Sequence, residues 1–136
     1  MSKVFLDTNI LVYTADFSDR KKQEACRDLL DQVVGRAVLS TQVMQEFYVT
    51  ATRKLGIDPV KAKGIMVSFD RFEIVTMTPH LIREAVDCQV ISQISFWDAL
   101  ILVAAESARC EKVWTEDLHP GQVIRGVRVE NPLKGS

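Results

Sequence analysis

The sequence predicts an α/β fold in which helices cover both faces of a central parallel sheet. Short apolar runs alternate along the chain with longer segments whose apolar residues recur at a helical period. This alternation is typical of parallel sheets, because a crossover helix returns the chain between successive strands. The short runs are continuously apolar, as expected of strands buried on both faces.

Five apolar runs are short enough to be strands. The first, Val4-Phe5-Leu6, ends abruptly at Asp7. The segment between residues 116 and 126 contains turn-forming residues and is predicted to be a loop. The predicted strands are residues 4–6, 37–40, 73–77, 112–115 and 127–129.

Six segments between these strands are predicted to be helical, and several carry their own start signals. Ser40 can cap the third helix. Asp58-Pro59 and Thr78-Pro79 place a proline at the first helical position, where its missing N–H costs nothing. The predicted helices lie near residues 9–13, 18–34, 41–56, 59–69, 79–90 and 94–109.

Length and composition indicate one globular domain over residues 1–136. The chain is 47% hydrophobic and 26% charged, and no repeat or linker interrupts it. Its formal net charge is -1, unlike that of a protein that binds nucleic acid through charge alone. If the protein handles nucleic acid, metal ions or local basic patches must supply much of the positive charge.

The cysteines and the apolar segments indicate the compartment. Cys26, Cys88 and Cys110 are odd in number and widely spaced, which argues against a disulfide framework and a zinc cluster. No signal peptide is evident, and the longest apolar stretch, residues 99–105, is too short to span a bilayer. We therefore expect a cytoplasmic protein with no membrane association.

Four acidic residues occupy positions that a parallel sheet would bring together. Asp7 follows the first strand, and Asp117 comes two residues after the fourth. Asp98 lies in the first turn of an apolar helix, and Glu46 lies early in the helix after the second strand. Because every strand end and following helix start lie at the same edge of the sheet, we expect the four carboxylates to converge.

Convergent carboxylates predict a site for divalent metal. Like charges in a partly buried cleft are unfavourable unless something neutralises them. Mg²⁺ and Mn²⁺ prefer oxygen ligands and pair with substrate phosphates. About four carboxylates would balance two such ions, an arrangement used to cleave phosphodiester bonds.

Each acid also has a structural explanation, and the sequence leaves both open. Asp7 can cap the following helix, and Asp98 can be a favourable charge near a helix N-terminus. Glu46 can be a solvated helix residue, and Asp117 a turn residue. Their shared placement, rather than any single residue, favours the metal site.

Other enzyme classes find less support. The chain has neither a G-x-x-x-x-G-K-[ST] loop nor a G-x-G-x-x-G motif, so nucleotide-dependent enzymes are not indicated. His80 and His119 lack a histidine partner at helical spacing. A haloacid-dehalogenase-like phosphatase would require Asp-x-Asp after the first strand, whereas this chain has Asp7-Thr8-Asn9.

Five segments in order resemble the PIN domain family and, within it, the VapC-type toxin ribonucleases of type II toxin–antitoxin systems. The first contains Asp7-Thr8-Asn9, the second contains Glu46, and the third contains Asp98. The segments are residues 4–13, 40–48, 94–105, 114–118 with Gly121-Gln122 behind it, and 126–132. They span nearly the whole chain, and their combination is far more specific than any one of them.

The resemblance implies a three-layer α/β/α sandwich and a Mg²⁺- or Mn²⁺-dependent endoribonuclease, in a single PIN-like nuclease domain. Asp7 and Asp98 would be the principal metal ligands, Glu46 would bind metal directly or through water, and Asp117 would complete the cluster. The polar positions that would support them by hydrogen bonding are Thr8, Asn9 and Thr115. The resemblance also implies an RNA substrate, a homodimer, and a cognate antitoxin whose C-terminal segment occupies the active-site groove. A PIN-like module that binds RNA or protein without cleaving remains the alternative.

Overall fold

The computed structural model of the chain describes residues 2–134, which form a sheet flanked by helices. Strands and helices alternate along most of this range, as the sequence predicts. The strands are β1 (Lys3–Leu6), β2 (Ala37–Ser40), β3 (Glu73–Val75), β4 (Cys110–Trp114), β5 (Val123–Ile124) and β6 (Val127–Glu130). The helices are α1 (Thr8–Thr14), α2 (Arg20–Val33), α3 (Thr41–Arg53), α4 (Pro59–Val67), α5 (Pro79–Ser92) and α6 (Phe96–Ser107), and a 3₁₀ helix, Ser68–Arg71, follows α4.

The sheet has the strand order β3-β2-β1-β4-β6-β5. The pairs β1–β2, β2–β3, β1–β4 and β4–β6 are all parallel, so the predicted parallel core of the sheet is confirmed. From β1 the chain builds outward through β2 to β3, and it then returns to the other side of β1 to form β4. The connections after β1 and β4 therefore diverge, which opens a crevice at the carboxyl ends of these two strands.

One part of the sheet differs from the prediction of a purely parallel sheet. Residues 123–124, expected to lie in a loop, form β5, which pairs antiparallel with β6 and makes the sheet mixed. Arg125 and Gly126 connect the two strands, with φ angles of 51° and 78°. Two-residue hairpin turns favour positive φ at both positions because the resulting twist matches that of the strands.

Capping side chains set the starts of the helices, largely as predicted. Ser40 accepts a hydrogen bond from the backbone N–H of Val43 at the start of α3. Asp58 and Thr78 cap α4 and α5, each followed by a proline in the first turn. A side-chain acceptor at this position satisfies a backbone donor that the helix leaves unpaired.

Helix α6 is the most deeply buried helix of the described chain. Its residues from Ala99 to Ala105 are all buried, and it packs against α5 and against β2, β4 and β6. Leu102 is fully buried, which contributes about 1.5–3 kcal/mol relative to an exposed leucine. This packing fixes the N-terminal end of α6, and with it Asp98.

The state of the cysteines and the lengths of the apolar helices can be compared with the sequence-based expectations. Cys26, Cys88 and Cys110 are buried free thiols, as the prediction of no disulfide framework requires. Within residues 2–134, no single helix has the length and apolar composition needed to cross a membrane. Within this range, only α5 and α6 taken together have that length and composition, and the two helices are bent by 114° at the break between them.

Candidate active site

The structure brings the four predicted acids to one cavity of about 160 Å³. Asp7 and Asp117 reach it from the connections after β1 and β4, at the crevice where those connections diverge. Glu46 reaches it from α3, and Asp98 from the first turn of α6. The remaining lining residues are Thr8, Asn9, Thr50, Trp97 and Ile101.

The cavity has no basic counterpart to its acids. Among the described residues 2–134, no Lys, Arg or His side chain lines it. Like charges gathered in this way raise one another's pKa unless a cation from outside the chain neutralises them. The cavity therefore carries uncompensated negative charge when its carboxyl groups are ionised.

Asp7 is the most buried of the four acids, with 6% of the residue exposed. Its Oδ1 accepts a hydrogen bond from the backbone N–H of Thr8 at 2.7 Å, and its Oδ2 accepts one from the Thr115 hydroxyl at 2.6 Å. Burial raises the pKa of Asp7 from 3.8 to about 6, against these two hydrogen bonds. The nearby charges of Asp117 and Glu46 raise it further.

Thr115 ties Asp7 to the segment that carries Asp117. The buried Thr115 hydroxyl donates to Asp7 and accepts a hydrogen bond from the backbone N–H of Asp117 at 3.0 Å. Asp117 itself is exposed and lies in a bend after β4. The hydroxyl thus links the two segments at the crevice.

Glu46 is held by hydrogen bonds to only one of its carboxylate oxygens. Its Oε1 accepts from the Thr8 hydroxyl at 3.0 Å and from Gln42 Nε2 at 3.2 Å. Its Oε2 accepts no hydrogen bond from residues 2–134 and is left for a cation or a water molecule. Thr8 is thus hydrogen-bonded to one of the four acids.

Asp98 sits at the start of α6, where Ser95 is the capping residue. Its backbone N–H donates to the Ser95 hydroxyl at 3.0 Å. Burial raises the pKa of its carboxyl group, a hydrogen bond with Ser95 lowers it, and the charge of Asp117 raises it. An ionised Asp98 is thus disfavoured by its surroundings until a positive charge approaches.

The structural explanations offered for the acids hold for three of the four residues. Asp7 is the capping residue of α1, and Asp98 lies in the first turn of α6. Asp117 occupies a bend, whereas Glu46 is hydrogen-bonded and half-buried rather than freely solvated. Asn9 lines the cavity, but its side chain makes no hydrogen bond within residues 2–134.

The side chains present fit a hard divalent cation that keeps part of its water shell. Within residues 2–134, no three His, Cys, Asp or Glu side chains are grouped closely enough to hold one ion between them. Mg²⁺, however, is usually held by one or two carboxylates together with several waters and substrate phosphates. Four carboxylates around one cavity without a basic side chain satisfy that looser requirement.

Two groups of side chains around the site were not predicted. Gln42, one helical turn before Glu46, donates through Nε2 to Glu46 and to the carbonyl oxygen of Trp97 at 3.4 Å. Its spacing of four residues from Glu46 was a usable signal.

The second group anchors the residue beside Asp117. The Tyr13 hydroxyl donates to Glu116, and Lys22 Nζ donates to the Tyr13 hydroxyl at 3.2 Å. Lys22 also forms an ion pair with Glu116 at 3.8 Å. The contacts of Glu116 with Tyr13 and Lys22 join distant parts of the chain, so no local pattern in the sequence indicates them.

A larger cavity lies elsewhere. It measures about 730 Å³, and its lining includes the apolar residues Leu30, Leu55, Ile57 and Ile65. None of the four predicted acids lines it. Chemistry rather than size therefore identifies the smaller, carboxylate-lined cavity as the candidate active site.

A family model of the PIN domain matches residues 4–123. The match covers most of the chain, so this protein belongs to the PIN domain family, as its motifs indicated. The family assignment agrees with the observed mixed, mostly parallel sheet flanked by helices.

Solved structures of VapC toxins share this fold. VapC20 of Mycobacterium tuberculosis, a toxin that cleaves the sarcin-ricin loop, is 19% identical, with a TM-score of 0.72 over 85% of this chain and 90% of VapC20. A toxin–antitoxin complex from Klebsiella pneumoniae is 23% identical, with a TM-score of 0.72 over 96% of this chain and 98% of the matched chain. DNA-bound VapBC from Salmonella typhimurium is 22% identical, with a TM-score of 0.72 over 97% of this chain and 99% of the matched chain. At such identities the likeness shows the fold alone, and no curated protein sequence matches this chain significantly.

Proposed function

We propose that this protein is a divalent-metal-dependent endoribonuclease and the toxin of a toxin–antitoxin pair. The observation that carries the proposal is the convergence of Asp7, Glu46, Asp98 and Asp117 on one cavity without a basic side chain among the described residues. The PIN family membership and the VapC neighbours support it. A carboxylate cavity of this kind suits the cleavage of phosphodiester bonds with bound metal.

Asp7 and Asp98 are the principal ligands for Mg²⁺ or Mn²⁺ in this proposal. Both carboxyl groups have raised pKa values, through burial above all, so an approaching cation removes an unfavourable charge. Glu46 offers its free Oε2 to the metal or to a metal-bound water, and Asp117 completes the cluster. Bound metal would supply an activated water and stabilise charge on the phosphate oxygens.

The neighbouring polar side chains orient these ligands. Thr115 holds Oδ2 of Asp7 and the backbone of Asp117, while Thr8 holds Oε1 of Glu46. Asn9 lines the cavity with a free amide that can contact a substrate or a water molecule. Hydrogen bonds that fix metal-binding side chains reduce the reorganisation needed when metal and substrate arrive.

The toxin assignment adds partners. Similar structures include a toxin–antitoxin complex and DNA-bound VapBC, which supports an antitoxin partner for this chain. A homodimer, a cytoplasmic location and a single nuclease domain over residues 1–136 remain predictions. A small DNA-binding protein encoded immediately beside this gene would support the pairing, and relief of growth arrest by its co-expression would test it.

RNA cleavage by the purified protein tests the nuclease proposal. Cleavage is expected with Mg²⁺ or Mn²⁺ and should be lost in EDTA. The variants Asp7→Asn and Asp98→Asn should be inactive while remaining folded, and Asp87→Asn is a control because Asp87 lies on α5 and does not line the cavity. Undiminished activity after chelation or in either active-site variant would rule out the mechanism.

A PIN module that binds RNA or a protein without cleaving is the second candidate. It is favoured by one observation, that no three possible ligands within residues 2–134 are grouped around one ion position. Calorimetric titration with Mn²⁺ separates the two candidates. Binding that is weakened in Asp98→Asn supports the nuclease, whereas no binding by the wild-type protein supports the non-catalytic module.

A further inference from the structure

A groove of about 400 Å³ adjoins the carboxylate cavity and shares Glu46, Thr50 and Trp97 with it. Gln42, Gln45 and Val49 complete its lining. The groove opens beside Asp98, because Trp97 immediately precedes that residue in the first turn of α6. The shared residues make this groove the neighbouring space for a chain whose phosphate lies in the carboxylate cavity.

Trp97 and Phe17 are the two most exposed aromatic residues within residues 2–134, each with 62% of its surface in solvent. Trp114, the other tryptophan, is 5% exposed. Tryptophan is highly buried on average, and unlike Phe17 the exposed indole of Trp97 lines both the groove and the carboxylate cavity. Its Nε1 donates to no acceptor within residues 2–134, and the groove side of the ring remains available.

The Trp97 side chain is nevertheless supported rather than free. Phe96, which packs against the core, meets the indole edge-to-face with ring centroids 5.7 Å apart and an interplanar angle of 66°. The Trp97 carbonyl oxygen accepts from Gln42 Nε2, which also donates to Glu46. An aromatic ring held in this way can receive a ligand without first losing much conformational entropy.

The charge of the groove selects the part of a nucleotide that it can hold. Glu46 is its one charged lining residue, and no Lys, Arg or His among residues 2–134 lines it. A phosphate would be repelled there, whereas a neutral planar base can stack on an indole. Gln45 is exposed, makes no hydrogen bond within the described residues, and offers an amide to the edge of such a base.

We propose that the Trp97 groove is a nucleobase subsite, in which a base of single-stranded nucleic acid stacks on the indole beside the phosphate in the carboxylate cavity. The subsite rests on the proposed nuclease function for its ligand class. Trp97 is thus a substrate-positioning residue that holds the nucleotide next to the bond to be cleaved. Base–aromatic stacking typically changes affinity by about ten-fold to a hundred-fold.

Binding of a fluorescein-labelled single-stranded RNA of about eight nucleotides, measured by anisotropy in Ca²⁺, tests the subsite. Trp97→Leu keeps bulk without an aromatic face and should weaken binding by about ten-fold or more, whereas Trp97→Phe should stay within about three-fold of wild type. Val90→Ala on α5, exposed and outside both cavities, is the control and should bind normally. Melting temperatures confirm that all variants are folded.

An abasic oligonucleotide isolates the stacking contribution. The same backbone with its bases removed should bind wild type and Trp97→Leu equally, because no base is left to stack. Equal binding of the intact RNA by wild type and Trp97→Leu, or no binding by wild type at all, would overturn the subsite. A change in oligomeric state of Trp97→Leu with unchanged RNA binding would instead assign this face to a protein contact and also overturn it.

The two proposals can fail separately. RNA cleavage that persists unchanged in Trp97→Leu, with KM unaffected, leaves the nuclease standing and removes the subsite. Trp97-dependent binding of RNA by a protein that cleaves no RNA leaves the subsite standing and removes the nuclease. If both hold, Trp97→Leu should raise KM more than it lowers kcat, since stacking contributes to binding in both the ground and transition states.

Discussion

Two groups of carboxylates in this protein have opposite electrostatic surroundings. Glu84 on α5 and Glu106 on α6 both accept hydrogen bonds from Nη1 of Arg125 at 3.0 Å, and the hydrogen bond from Arg125 lowers the pKa of Glu84. Asp7 and Asp98 face no basic side chain in their cavity within the described range, and burial raises the pKa of each. The chain neutralises the first group internally and provides no basic side chain for the second within the described residues.

The Arg125 group and the carboxylate cavity therefore have different expected roles. Arg125 joins the β5–β6 hairpin to α5 and α6, so its ion pairs stabilise the fold. The cavity acids gain no such stabilisation, and their convergence is unfavourable for the metal-free protein. Strongly perturbed acids without an internal partner are characteristic of functional sites.

The largest expected effect is on catalysis. Asp98→Asn removes a proposed metal ligand and should reduce RNA cleavage by at least about a hundred-fold. Glu106→Gln removes an acid of the Arg125 group and should leave cleavage per folded molecule within about two-fold. Initial rates with Mn²⁺ measure both. Similar losses in the two variants would mean that the two groups do not differ in role.

The second effect is the pH dependence of stability in EDTA. Because the folded pKa of Asp7 is about 6 and its ordinary value is 3.8, the folded state holds this proton more tightly than the unfolded state. Asp7 therefore destabilises the metal-free protein as pH rises through this window, and the full penalty is present above pH 6. Asp7→Asn should gain stability relative to wild type between pH 4 and pH 7, on the order of 2 kcal/mol.

Denaturant unfolding of both proteins across this range measures that difference. The comparison cancels any pH-independent change in the hydrogen bonds to Thr8 and Thr115. Glu106→Gln provides the control, because Glu106 lies outside the cavity and its replacement should show no comparable gain as pH rises. A constant difference between Asp7→Asn and wild type from pH 4 to pH 7 would contradict the raised pKa of Asp7.

The third effect concerns the Arg125 group. Arg125→Gln should lower the free energy of unfolding by about 1–2 kcal/mol, since it breaks two partly exposed ion pairs that share one guanidinium. Arg125 has a positive φ, which is strained for any residue with a Cβ. Glutamine also has a Cβ, so the substitution leaves the backbone strain unchanged. Because Arg125 lowers the pKa of Glu84 from its ordinary value of 4.5, the loss should shrink as pH falls below that value and Glu84 becomes protonated.

Cleavage per folded molecule separates this effect from catalysis. It should be unchanged in Arg125→Gln, because no atom of the Arg125 group lines the carboxylate cavity. A loss of specific activity larger than the loss of folded protein would show that the hairpin positions the active site. The two groups would then be coupled rather than independent.

The sequence predicted much of this arrangement because the determinants are local. Continuous apolar runs place β1, β2 and β4, and parallel strands place the acids that follow them at one edge. Capping residues such as Ser40 and Thr78 place the helix starts. The convergence of Asp7, Glu46, Asp98 and Asp117 follows from these local features without further information.

What the sequence did not predict depends on short elements or on distant contacts. β5 has two residues, too few for a pattern, and its turn places Arg125 at a positive φ that favours glycine or asparagine. The anchoring of Glu116 by Tyr13 joins positions far apart in the chain. Exposure of Trp97 also depends on the tertiary fold, because an aromatic residue at the start of an apolar helix is ordinarily expected in the core.

The smallest expected effect is on the stability of the metal-free protein when Asp98 is neutralised. Asp98→Asn should raise the melting temperature in EDTA, because burial and the charge of Asp117 both disfavour the ionised group. Asp98 is only partly buried, so the gain should be about 0.5–1 kcal/mol, a shift of a few degrees. Added Mn²⁺ should stabilise wild type more than the variant and thereby reverse their order. A lower melting temperature for Asp98→Asn in EDTA would instead mean that the charge of Asp98 stabilises the fold through its position at the N-terminus of α6. Asp98 would then stabilise the metal-free protein, as the acids paired with Arg125 do.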